Sequence, residues 1–423
     1  MYFRQIYIFI LAVSIFTTGC QKLVNDPGGK DTNVEVDNGF SYWGGAYDDF
    51  GHAVVQTADG GYAVVGTQYS TDNQDDLILV KFSSTLVFES DTSFGGANSA
   101  YNNVANDLQQ TADGGYILVG TTYNADSLDS DIWIVKYTPQ LSMTWQDTID
   151  GGNNDVGHSI QQTQDGGYIV CGTSNDGNND DIMLWKIAAD GLTHSILYSE
   201  TTHGGADNGT NDAGNYAQQT RDGGYIIVGT SFSTTNANDI RLIKLNVSSG
   251  TTSIAFDSTY NITDGYINDE AVFVQEIDDG MGFVVVGNYW VSGYGQNNVF
   301  VLKTDYQGKI TSNAMFGGGY NDFGNCVRQT DDMGFIIVGS KLSQSTTHED
   351  VWVLKLTHDL STEWDYTFGG NADDTGTSVN QTTDGGYIIT GNTYSYGNQS
   401  EIILLKIDGA GVVQDFSNAA GNN

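Results

Sequence analysis

One seven-residue string, repeated along the chain, constrains this sequence more than any other feature. It first stands at Gln56-Thr57-Ala58-Asp59-Gly60-Gly61-Tyr62 and returns at 110–116, 162–168, 219–225, 329–335 and 381–387, with a longer degenerate copy at 275–283. The closing aromatics Tyr62, Tyr116, Tyr168, Tyr225, Phe283, Phe335 and Tyr387 are 52 to 58 residues apart. That period is near the roughly 40–50 residues of a four-stranded propeller blade and far from the ~34 of helical solenoid units.

Each unit reads as four strands. The first ends in Gln-Thr, and the following Asp-Gly-Gly supplies positive-φ positions for a tight hairpin turn. An apolar second strand follows, such as Tyr116-Ile117-Leu118-Val119-Gly120. A polar loop then leads to a third strand, such as Asp131 to Lys136, and a fourth strand finishes in Gly-Gly. No window keeps a helical period for long enough to form a helix. Seven such units are too many for one sandwich, so the expectation is an all-β fold, a seven-bladed β-propeller of four-stranded blades, with eight blades as the alternative. Residues 40–45 (FSYWGG) look like a fourth strand arriving before any first strand. They and the segment 412–416 compete to close the ring.

The N-terminus carries an address. One positive charge, Arg4, precedes an apolar run at 6–16, too short for a membrane-spanning helix, and then Thr17-Thr18-Gly19-Cys20. This stretch resembles a bacterial lipoprotein signal with its lipobox, although Thr17 stands where leucine is usual. The resemblance implies a signal peptide at 1–19, cleavage before Cys20 and lipidation of Cys20. Gln21 rather than aspartate after Cys20 implies the outer membrane, with the periplasmic or cell-surface side left open. Residues 20–39 read as a flexible tether, 40–417 as the propeller and 418–423 as a tail. The repeats resemble a large group of secreted bacterial β-propellers built on Q-T-x-D-G-G-Y-I-x-x-G units, most of them uncharacterised. That resemblance implies fold and export and carries no activity.

Charge narrows the partners. With 15 Lys+Arg against 52 Asp+Glu the chain carries a formal net charge of −37, the reverse of what phosphate contacts need, so nucleic acid is excluded as a partner. The scarce cations are concentrated. Lys81, Lys136, Lys186, Lys244, Lys303, Lys355 and Lys406 each end a third strand, where pairing with the aspartate of the repeated turn has a physical rationale and a sevenfold catalytic ring has none. Cys171 and Cys326 read as small buried side chains rather than a disulfide or a metal pair.

Loops joining second to third strands and blade to blade share one face, the usual ligand face of a propeller. Acids gather there: Asp48-Asp49, Asp75-Asp76, Asn153 to Asp155, Asp180-Asp181, Asn211-Asp212, Asn321-Asp322 and Asp373-Asp374. Calcium is the one cofactor their oxygens suit, and Asp176, Asp180 and Asp181 come nearest to a metal loop. A solvated acidic face is the alternative. Aromatics stand three positions after the second-strand glycine in five units, at Tyr69, Tyr123, Phe232, Trp290 and Tyr394, which suggests packing. Tyr289, Trp290 and Tyr294 together form a candidate platform for a sugar or peptide ligand.

Enzymatic readings find no constellation. Past the signal the only arginines are Arg221, Arg241 and Arg328, and the six histidines lack zinc-hydrolase spacing. A glycosidase needs only two carboxylates, and no pair is distinguished. The sequence therefore points to a membrane-anchored propeller acting as a ligand-binding or protein-interaction scaffold for a glycan, a peptide or the proteins of a surface complex. The alternative is a carbohydrate-active hydrolase with a carboxylate pair on the loop face.

Overall fold

The computed structural model describes residues 33–37 and 40–414, apart from 70–74, 96–102, 125–128, 176, 178, 200–210, 233–237, 263–267, 279, 292–295, 343–346 and 398. Cys20 and the expected signal peptide lie outside these residues, as do Asp176, Tyr294 and the tail. The described chain is a seven-bladed β-propeller of four-stranded antiparallel blades, with no helix.

Blade 1 shows the unit: Asp49–Gln56 innermost, then Tyr62–Tyr69, Asp75–Phe82 and Phe88–Phe94. The repeated string is the hairpin between the first two strands. Thr57 Oγ1 donates to Asp59 Oδ1, which also accepts the Gly61 N–H at 3.2 Å. Gly60 takes φ +85, open to glycine and costly for other residues. A Cβ on Gly61 would lie 2.4 Å from the Phe82 carbonyl oxygen, so this position is set by close approach to the third strand.

The glutamine of the string joins blades. Gln110 Oε1 accepts the Ala58 N–H of the preceding blade at 2.9 Å, and the same bond is made by Gln162 to Ala112, Gln219 to Gln164, Gln329 to Asp278 and Gln381 to Asp331. Glu276 takes this role in the degenerate unit, accepting the Arg221 N–H. Gln56 closes the circle by accepting the Thr383 N–H at 2.8 Å. Each such bond contributes about 1 kcal/mol net, and seven of them seal the hairpin side of the ring.

The third-strand lysines do pair with the turn aspartates: Lys81–Asp59, Lys136–Asp113, Lys186–Asp165, Lys244–Asp222, Lys355–Asp332 and Lys406–Asp384 lie 2.9 to 3.3 Å apart. Asp113 is pulled down to about 2, first by the Thr111 hydroxyl, with the Gly115 N–H and Lys136 adding to it. Blade 5 departs from the expectation of an aspartate partner in every blade. Its turn is irregular, and Lys303 instead donates to the His358 carbonyl of the next blade at 2.9 Å.

The N-terminal strand closes the ring. Phe40–Gly44 pairs antiparallel with the third strand of blade 7, Glu401–Ile407, from Phe40↔Leu405 to Trp43↔Ile402. The indole of Trp43 is buried between blades 7 and 1, against Val54, Ile78 and Ile402. The described residues of the C-terminal competitor, 412–414, meet the end of that strand through an Ile407↔Val413 bridge and a 3.0 Å bond from the Gln414 N–H to the Lys406 carbonyl. Within the expected tether, Asn33–Asp37 form a fifth strand on Phe40–Gly44.

Packing between blades comes from both faces of the apolar strands. Trp133 meets Phe94 of the preceding blade with ring centroids 5.2 Å apart, and Trp352 is buried at the same blade position. Cys171 and Cys326 are both buried and free.

Candidate functional site

The five repeated aromatics are half exposed. Tyr69, Tyr123, Phe232, Trp290 and Tyr394 retain 40%, 46%, 40%, 38% and 50% of their accessible surface, and Tyr69 also packs edge-on against Phe50 with ring centroids 6.1 Å apart. The reason is geometric. Each stands at the end of a second strand, where alternation turns one side chain into the apolar blade and the next outward. Backbone bonds hold the position in register from blade to blade: the N–H of Tyr69 donates to the Asp48 carbonyl, that of Trp290 to Asn268 and that of Tyr394 to Asp373. Tyr69 and Tyr394, on adjacent blades, are near enough for the Tyr394 charge to join Asp75, burial and Asp48 in raising the Tyr69 hydroxyl pKa.

Trp290 belongs to this exposed set, whereas its neighbour Tyr289 points into the blade, buried against Phe300 and taking a 3.4 Å bond from Asn298 Nδ2. The strand therefore does not bring Tyr289 and Trp290 onto one platform. The same alternation separates the metal candidates. Asp180 Oδ1 accepts from Asn175 Nδ2 at 2.7 Å, while Asp181 is buried on the other face, close enough to Arg241 for its charge to be felt there.

Many of the acids expected on solvated loops are instead buried, which corrects the picture of a merely solvated acidic face. Asp49, Asp155, Asp212, Asp269, Asp322 and Asp374 begin the inner strands and are almost wholly inaccessible. One carboxylate oxygen of each is satisfied locally: Asp49 by the Gly45 N–H, Asp155 by Gly151, Asp212 by Phe232, Asp269 by Ile262, Asp322 by Gly318 and Asp374 by Gly370. The other oxygen of Asp49, Asp155, Asp322 and Asp374 is buried without a hydrogen bond among the described residues. Burial pushes Asp49 up to about 7 and raises Asp155 and Asp322.

A second acid from the preceding blade approaches most of these positions. A Cβ on Gly44 would fall 1.6 Å from Glu401 Oε2 and 2.7 Å from Asp49 Oδ2, and one on Gly369 would meet both Asp350 and Asp374. Sequence reading passed over this arrangement, although the signal was present: Asp76, Asp131, Asp181, Asp239, Asp350 and Glu401 all stand five residues before a repeat lysine. Their partners stand seven residues before the repeat glutamine or its Glu276 counterpart.

At the junction of blades 3 and 4 a cation is built in. Arg241 Nη1 lies 2.8 Å from Asp212 Oδ2, its Nε and Nη2 clasp Asp257 at 3.1 and 2.9 Å, and Nη2 also reaches the Tyr198 hydroxyl at 3.2 Å. Blade 4 here comprises Asp212–Gln219, Tyr225–Phe232, Asn238–Ser248 and Thr251–Tyr260.

The inner strands carry a bulge at the same place in every blade, at residues 52, 106, 158, 215, 272, 325 and 377. Bulges re-aim side chains, and Asn106, Asn215 and Asn325 donate to the Gly157, Ala271 and Gly376 carbonyls of the next blade. His52 and His158 are pushed down to about 4 by burial. Beside the bulges Asp107, raised to about 6 by burial, accepts the Ile160 N–H, and Arg328 stacks 4.5 Å from the Phe273 ring centre.

No protein-family model matches the chain, and no curated protein matches it. Similar folds are found among solved structures. A puromycin hydrolase variant complexed with PGG is 9% identical, with a TM-score of 0.52 over 86% of this chain and 53% of that one, so the chain spans about half its length. A protein of unknown function from Dyadobacter fermentans is 11% identical over 87% of this chain and 94% of that one, with a TM-score of 0.47. The propeller domain of the trilobed protease from Pyrococcus furiosus is 11% identical over 85% and 94%, with a TM-score of 0.45. At 9% identity the likeness to the hydrolase variant bears on the fold alone.

Proposed function

We propose that this chain is an exported, lipid-anchored propeller that serves as a binding scaffold, with the exposed aromatics as its ligand contacts. The observation that carries the reading is the five half-exposed rings at one blade position. Water is a poor neighbour for so much aromatic surface, and its repetition around one face suits a partner that touches several blades at once. Acids border the rings, Asp75 beside Tyr69 among them. Together with the net charge of −37 they favour a neutral or cationic polymer, a glycan or a peptide, over an anionic one.

Anchoring rests on the lipobox reading of Thr17 to Cys20 and on the residues that follow it as a tether. Two measurements test the proposal. Metabolic labelling with a radiolabelled fatty acid should mark the wild type and not Cys20→Ala; equal labelling would remove the anchor. A glycan and peptide array probed with the full chain should give hits that weaken with Trp290→Ala and not with Tyr289→Phe. An array hit indifferent to Trp290 would place the ligand elsewhere.

A further inference from the structure

Three carboxylates meet where blade 2 joins blade 3. Asp131 comes from the third strand of blade 2, Asp129–Tyr137, Asp150 from the segment after its outer strand Met143–Ile149, and Asp155 opens the inner strand of blade 3, Asp155–Gln162. Their nearest oxygens all lie within 4.8 Å of one another. Asp155 is fully buried, and while its Oδ2 takes the Gly151 N–H at 2.6 Å, its Oδ1 has no hydrogen-bond donor among the described residues. A buried carboxylate oxygen left without a donor carries a desolvation cost that a bound group can relieve.

The next junction shows what that group is. There the equivalent acids are Asp181 and Asp212, and Arg241 sits among them with its guanidinium 2.8 Å from Asp212. Arg241 pairs across the sheet with Gly229; in blade 3 the residue paired with the equivalent Gly172 is Met183, which brings no charge. Among the described residues none of Asp131, Asp150 and Asp155 is in an ion pair. The chain repeats this meeting of acids from blade to blade, and of these two junctions only the second is supplied with an arginine.

We propose that Asp131, Asp150 and Asp155 bind a divalent cation, calcium, in the place that Arg241 fills one blade later. Three anionic oxygens are hard ligands suited to calcium. Calcium accepts an irregular shell of carboxylates and waters, whereas magnesium demands near-ideal octahedral geometry and gives up its waters reluctantly. Asp150 is exposed, which leaves room for the waters that complete a calcium shell. The ion would pin blade 2 to blade 3, and the site adjoins the aromatic position of blade 2, because Asp131 pairs with Thr122, the residue before Tyr123.

The test is calorimetric titration of the EDTA-treated full chain with calcium chloride, alongside thermal melting with calcium or magnesium. Calcium should bind and raise the melting midpoint, while magnesium at the same concentration should do markedly less. Asp150→Asn, at an exposed position that tolerates the change, should weaken calcium binding at least about tenfold, and the double variant Asp131→Asn with Asp150→Asn should abolish this site while keeping the wild-type circular dichroism. No calcium binding by the wild type, or unchanged binding by the folded double variant, would overturn the proposal.

Discussion

Gln56 Oε1 accepts the backbone N–H of Thr383 at 2.8 Å, a bond between the first and last blades across 327 positions of sequence. It is one of seven equivalent bonds, and it shows that the chain treats its seam like any other junction. What differs at the seam is covalent continuity. The outer strand of blade 7 comes from the other end of the chain, so closure depends on Phe40–Gly44 staying in place. Trp43 is the large apolar side chain that this strand buries. Trp43→Ala should therefore cost about 3–5 kcal/mol, read as a lower urea midpoint, and should be accompanied by faster amide exchange in Glu401–Ile407 than in the interior blades. Uniform exchange across all blades would argue against the seam as the weak point.

The Lys244–Asp222 pair, 2.9 Å apart, is asymmetric: Lys244 is buried and Asp222 is half exposed. Removing the aspartate leaves a buried ammonium with only the Leu245 carbonyl as acceptor among its known bonds. Replacing the lysine with an apolar chain of similar length leaves a solvated carboxylate. Asp222→Ala should therefore destabilise by about 1–2 kcal/mol, and Lys244→Met by less than about 1 kcal/mol. Denaturant titration of the two variants decides the order.

Asp49 gives the fold a pH dependence of known sign. Burial lifts its carboxyl from an ordinary 3.8 to about 7, with Asp48 adding its charge and the Gly45 N–H opposing, and Glu401 lies against the same glycine wall. A raised folded-state value means that its contribution to stability is complete below about pH 4 and is lost as the pH rises through about 7. His52 and His158, lowered to about 4, act with the opposite sign over the same range. They are common to both proteins compared, so the difference isolates Asp49. In EDTA, Asp49→Asn should gain stability relative to wild type as the pH goes from 4 to 7.5; parallel curves would contradict the assignment.

Much of this was legible in the sequence because it repeats. The period, the hairpin glycines and the lysine–aspartate pairs are local, and the regular hairpin with its ion pair is written six times, blade 5 being the variant. The seam was ambiguous because residues 40–45 and 412–416 offer similar short strands, and only three-dimensional pairing separates Phe40↔Leu405 from the single bridge at Val413. Burial was the harder property. Asp155 and Asp374 follow Asn-Asn and Ala-Asp and read as loop acids, yet the neighbouring blade covers them. Tyr69 and Tyr394 end apolar strands and read as packing residues, yet 40% and 50% of their surface stays open to solvent.

The aromatic face is the centre of the functional account, and removing it should silence the protein without unfolding it. A variant carrying Tyr69→Ala, Tyr123→Ala, Phe232→Ala, Trp290→Ala and Tyr394→Ala removes side chains that are 38–50% exposed at the rim of the blades, so it should melt lower than the wild type yet keep the wild-type circular dichroism at the assay temperature. The deciding measurement is the glycan and peptide array signal of this variant beside that of the wild type. The account predicts wild-type hits that fall to background in the variant; hits of equal strength in both proteins would contradict it.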